Sequence, residues 1–139
     1  ADLQQNQINK YLYTVNDIER MGDHIDNLEQ LARYMVENDI AFTDPAMEGL
    51  TDLFDKCIQV VSATKTAFEF TDADLSRTVY EIEDEVDRIE ENNRNKHIER
   101  SNKKICGAKP GMVFLEALSN LERLSDHANN IADYVLNTF

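Results

Sequence analysis

Residues 17–28 read "DIERMGDHIDNL", and residues 120–131 read "NLERLSDHANNI". At an offset of 103 positions, Glu19, Arg20, Asp23, His24 and Asn27 coincide with Glu122, Arg123, Asp126, His127 and Asn130. Helical residues four apart share a face, so each copy stacks a Glu over an Asp. Two such carboxylates repel by a few tenths of a kcal/mol on an exposed helix. Near a core the repulsion grows unless a cation lies between them. The rows Val15–Glu19–Asp23 and Leu118–Glu122–Asp126 each begin apolar and turn acidic, which puts the carboxylates at a core edge. Gly22 and Ser125, small residues on the apolar stripe, admit close approach of a helix or an ion. A third segment, "EIEDEVDRIEE" at 81–91, repeats the spacing in Glu83 and Asp87, with Glu91 one turn on. Paired carboxylates on facing helices of a bundle are how multinuclear metal sites are built. Oxygen and imidazole donors suit iron, zinc, manganese or magnesium, and the spacing does not choose among them.

Other accounts of the same residues stand beside this one. Acidic pairs are common on acidic helices, and for Glu83 and Asp87 a solvated face explains the pattern as well as a ligand set does. The repeated motif is harder to credit to helix propensity, but Glu, Arg, Asp and Asn could instead form a polar clasp between helices. Arg20 and Arg123 would then be salt-bridge partners of small worth at a surface. His24 and His127 follow the Asp directly and point about 100° around the helix. They are open to three roles: metal ligand, hydrogen-bond support for the ligands, or neighbour of the arginines one turn earlier. His97 lies outside the motif and is expected at the surface or at a contact.

Several chemistries are excluded. No His has Glu three residues before it, so the Glu-x-x-His pair of di-iron oxidases is missing. There is no His-Glu-x-x-His peptidase motif, no Gly-rich phosphate loop and no nucleophile elbow. The dipeptide is Asp-His, never His-Asp, which removes the helical phosphohydrolase dyad. A formal charge of −13 argues against nucleic acid and against anionic membrane surfaces as ligands. No stretch approaches the roughly 20 apolar residues of a membrane span, so no direct membrane insertion is expected. Cys57 and Cys106 have neither zinc spacing nor a disulfide framework pattern, which fits reduced thiols in a cytoplasmic setting. The expected function is regulatory and not enzymatic.

Four long amphipathic helices must position these groups. Apolar residues recur at steps of three and four from residue 3 to 38, including Ile8, Leu12, Val15, Ile18 and Ile25. Asp44-Pro45 marks the second helix as N-cap and first helical residue, with Leu50, Phe54, Cys57 and Val61 along its stripe. Thr71 or Asp72 caps the third, whose stripe runs Leu75, Val79, Ile82, Val86 and Ile89 before turning polar. That polar half is expected to pass beyond the packed region or to face a partner. "CGAKPG" at 106–111 reads as a breaker, and the fourth helix spans about 112–137. No strand pattern is present. Short connections give an all-α, antiparallel up-down-up-down bundle of four helices, forming one domain over residues 1–139. The chain opens at Ala1 in helix-forming sequence, as a piece of a longer protein would.

"DIERMGDH", "EIEDEVDRI" and "NLERLSDHANNIADYVL" resemble the signature of the PhoU family, most strongly over residues 81–136. "NKHIERS…FLEALSNLERLSDHANNIADYVL" resembles the cytoplasmic tail of bacterial Na/Pi cotransporter-family proteins. The resemblance implies three-helix repeats whose last helix carries the signature. It implies iron or zinc held by Glu/Asp-x-x-x-Asp motifs on two helices of each repeat, and negative regulation of phosphate uptake. Residues 44–139 would be one complete repeat, and residues 1–40 the last helix of a preceding one. The implied metal set is Glu83 and Asp87 with Glu122 and Asp126. Glu19 and Asp23 would belong to a second site whose facing helix is missing, and Glu91, His24 and His127 are subsidiary candidates. Ser125 stands where the family usually has Gly. The implied partners are a membrane-embedded phosphate transporter domain or transport and signalling proteins, at the cytoplasmic face of the membrane. An unpaired first helix would leave half a packing face open, which makes a homodimer plausible.

Overall fold

The computed structural model describes residues 1–137 and contains four helices: α1 (Asp2–Glu37), α2 (Asp44–Phe70), α3 (Ala73–Asn102) and α4 (Ala108–Leu136). No strand occurs among the described residues. Local chemistry sets the helix ends. The Thr43 hydroxyl accepts from the amide of Ala46, so the α2 cap lies one residue before Asp44, and Pro45 sits in the first turn. The Asp72 carboxylate accepts from the amide of Leu75 at 3.0 Å and caps α3. α4 begins at Ala108, earlier than "KPG" suggests. Pro110 falls in its first turn, where a missing N–H breaks no intrahelical bond.

Three of the helices end on a left-handed residue, and none of these is glycine: Asp39, Thr71 and Lys104, with φ of 52°, 52° and 56°. In each case the next amide reaches back five residues: Ile40 to Met35, Asp72 to Ala67, and Ile105 to Arg100, all at 2.9 Å. These bonds satisfy carbonyls left open at the helix ends and turn the chain sharply.

Helices α2, α3 and α4 enclose the core. Leu53 and Val60 of α2, Val79 and Val86 of α3, and Leu118 and Ala128 of α4 are fully buried in one cluster. Truncating Leu53 or Leu118 to Ala would cost about 2–5 kcal/mol. The polar second half of α3 also packs and does not pass beyond the bundle, the first of the two placements expected for it. Asn93 donates to the carbonyls of Gly49 and Ile89, and His97 stacks on Phe114 with ring centroids 5.5 Å apart. Hydrogen bonds repay the burial of such groups, so polarity alone did not place this half in solvent.

α1 lies antiparallel along α4. A groove separates it from α2, crossed where the ring of Tyr11 meets Phe68 edge-on at 6.2 Å. The described residues of α1 bury only Thr14 and Asp17. Tyr11, Val15, Ile18 and Ile25 remain more than half exposed. Their counterparts at the 103-residue offset are Phe114, Leu118, Leu121 and Ala128, which α4 buries among α2 and α3. The two helices thus carry the same apolar row, and only one of them has neighbours that cover it.

Candidate metal centre and interhelical clasp

The repeated motif has two faces with separate tasks. On one face it ties α1 to α4. Asp17 accepts from Nδ1 of His127 at 2.8 Å and from Asn130 at 3.2 Å. In mirror fashion, Oδ1 of Asn120 lies 3.0 Å from Nδ1 of His24 and accepts from Asn27 at 3.1 Å. The two imidazoles stack between these ends, 5.6 Å apart. Asp17 and Asn120 are buried, so the bonds work in a setting where an unmade one is expensive. His24 and His127 therefore have their Nδ1 atoms committed to the clasp. Arg20 and Arg123 are exposed and make no ion pair among the described residues, so the clasp is built of His, Asn and Asp instead.

On the other face of α4, carboxylates gather against α3. One oxygen each of Glu83, Asp87 and Asp126 lies within 4.8 Å of the other two. Glu83 is buried at 7% exposure, while Asp87 and Asp126 reach solvent. The Ser125 hydroxyl donates to Oε2 of Glu83. Oε1 of Glu83 is buried with no hydrogen-bond donor. Burial, followed by the adjacent carboxyl of Asp126, pushes Glu83 up to about 8, and the charge of Asp87 adds to this. Asp87 is raised by burial and then by Asp126. Behind the group, burial and the charges of Glu83 and Asp126 push the Cys57 thiol up to about 12. Its Sγ donates instead to the carbonyl of Leu121, so Cys57 stays a thiol.

The acidic row extends along α3 to Glu90, which is buried and paired with Arg94. Glu122 sits near this end, raised by burial and then by Glu90 and Asp126. Its carboxylate is not one of the three that converge most closely. Arg94 also donates to Ser119 of α4 at 3.0 Å and closes the row. The sequence pattern singles out Glu91, which is exposed, and passes over Glu90. The step 83–87–90–94, an acid row ending in Arg, is the signal that marks Glu90 as inward. On α1, Glu19 and Asp23 are exposed and join no carboxylate cluster among the described residues.

A buried carboxylate with one oxygen lacking a donor, beside two further carboxylates, is an arrangement that a cation or a shared proton completes. All-oxygen donors fit a divalent or trivalent ion, and the residues present therefore suit a metal.

A helical bundle with acidic rows on facing helices defines the class, and comparison with known proteins narrows it. The PhoU domain matches residues 50–135, which cover α3, α4 and most of α2. The chain belongs to the PhoU family. It is also similar to the phosphate-specific transport system accessory protein PhoU homolog 1 of Thermotoga maritima, at 30% identity over 131 residues. That match covers 91% of this chain and 56% of the relative, so the chain spans about half the length of the curated relative it matches. No solved structure matches. No helix among the described residues is long and apolar enough to cross a membrane.

Proposed function

We propose that this chain is a regulatory PhoU unit of phosphate transport that holds a metal ion, iron or zinc, on the acidic face between α3 and α4. The carrying observation is the convergence of Glu83, Asp87 and Asp126, with Oε1 of Glu83 buried and undonated, inside the PhoU-matched segment. Glu122 and Glu90 flank this centre and would complete the donor set. Glu19 and Asp23 would hold a second ion only with a facing helix from elsewhere. The ion would supply positive charge that cancels the repulsion between α3 and α4. Ser125 donates to one oxygen of Glu83, and the other would be left for the ion.

The relative's name speaks of phosphate-specific transport, which supports the regulatory reading for this chain. We place the unit at the cytoplasmic face of the membrane, acting on a sodium-dependent phosphate transporter or on transport and signalling proteins. The acidic face, bare or metallated, would present different charge to basic loops of that partner. No catalytic step is assigned to any residue. The test is phosphate uptake by cells carrying the intact protein or the Glu122→Lys/Asp126→Lys variant. Loss of restraint on uptake is expected, and unchanged uptake with normal protein abundance would contradict the reading.

A metal-free interaction module is the second reading. Its support is the clasp, which does structural work without any ion, together with the uncovered apolar row of α1.

A further inference from the structure

At the corner where α3 passes to α4, far along the chain from the acidic triad, a cavity of about 100 Å³ opens against the first turn of α4. Its polar lining is Arg100, His97, Thr43 and Cys106. No Asp or Glu lines it, although the chain has 27 of them. Arg100 lies over the ring of Phe114 at 5.3 Å, and its Nη2 is buried with no acceptor. Among the described residues, no carboxylate pairs with this guanidinium. His97 is only 8% exposed, stacks on the same ring and makes no hydrogen bond among the described residues. Buried donors are normally satisfied, so Arg100 and His97 at the cavity wall, without a polar partner among the described residues, point to an acceptor that enters from outside.

The backbone favours an anion there too. The N-cap of α4 is Gly107, which offers no capping side chain, and the first turn carries no acid. Its positive end is therefore uncompensated. Lys103, Lys104 and Lys109 are exposed around the same corner, and the left-handed Lys104 makes the turn that brings Arg100 and Gly107 together.

We propose that this corner binds a small tetrahedral oxyanion, inorganic phosphate in the first instance, with Arg100 and His97 as donors. The planar guanidinium presents two N–H groups to adjacent oxygens of such an ion. A cavity of about 100 Å³ has room for one such ion. The oxyanion site stands on the geometry alone, whereas the choice of phosphate rests on the regulatory reading above.

The test is titration of the 139-residue chain with sodium phosphate and, separately, sodium sulfate at constant ionic strength, followed by backbone amide NMR. Saturable shifts at Gly107 and Gly111 are expected with phosphate. Arg100→Met keeps the stem against Phe114, and His97→Phe keeps the stacking. Each should weaken binding about tenfold or more while leaving the fold intact by circular dichroism. Lys65→Ala, on the groove side of α2, should change nothing. Absence of saturable shifts with either anion, or shifts unaltered in Arg100→Met, would overturn the site. Equal affinity for sulfate would uphold the oxyanion site and count against phosphate as its ligand.

Discussion

Asp17 and Asn120 hold equivalent places in α1 and α4, and each receives the histidine of the other helix. The two halves differ by one atom type. On the α1 side the acceptor is a carboxylate, and on the α4 side it is an amide. Asp17→Asn should therefore fold with the clasp nearly symmetric, at a cost of about 1 kcal/mol or less. Asp17→Ala strands the donors of His127 and Asn130 and should cost about 2–3 kcal/mol. Urea denaturation of both variants measures the difference. Equal stability of the two would mean that the clasp does not hold α1 in place.

Glu83 gives the metal-free protein a pH dependence of definite sign. Its folded value of about 8 lies above the ordinary 4.5, so the folded state keeps a proton that the unfolded chain releases. The stability this contributes is complete below about pH 4.5 and is lost as pH rises through about 8. Glu83→Gln stays neutral and can still accept from Ser125. It should flatten that slope and exceed the native chain by roughly 2–4 kcal/mol at pH 8.5. Denaturation across pH 4.5–8.5 with chelator present tests this. A parallel slope in the variant would show that Glu83 does not hold the proton.

Gly49 is a packing requirement of the α2–α3 interface. A Cβ there would collide with Oδ1 of Asn93, whose amide nitrogen donates to Gly49's own carbonyl at 3.1 Å. Gly49→Ala gains about 1 kcal/mol of helix propensity and loses the Asn93 bonds. A net loss of about 1–2 kcal/mol is expected, and Asn93→Ala in the same background should recover part of it. Thermal denaturation of the single and double variants decides the matter. A Gly49→Ala protein as stable as the native one would refute the steric account.

The helices were legible because their apolar residues keep a helical period, and Val79, Val86 and Leu118 land in the core as that period requires. Pro110 and Gly111 looked like a break because composition does not say that they fall in a first turn, where proline costs nothing. Glu83, Asp87 and Asp126 could be named from spacing, whereas only the step 83–87–90–94 that ends in Arg94 separates Glu90 from Glu91. Adjacent residues point about 100° apart, and the rotation of α3 is fixed only by packing. A clasp was among the readings of the repeated motif, but its two acceptors were hidden for a different reason. Asp17 and Asn120 are not identical, so a search for identical repeated residues passes them by. Their histidine partners lie about a hundred residues away, and only the antiparallel docking of α1 on α4 brings them near.

The central claim is that the acidic face between α3 and α4 holds a metal. Elemental analysis of protein purified without chelator, compared with Glu83→Gln/Asp126→Asn and with Glu19→Gln/Asp23→Asn, tests it most directly. Iron or zinc retained in the native chain and in the α1 variant, and lost in the α3–α4 variant, is the predicted result. No metal in any of the three after reconstitution with iron, zinc and manganese would contradict the claim and leave the metal-free interaction module as the better account.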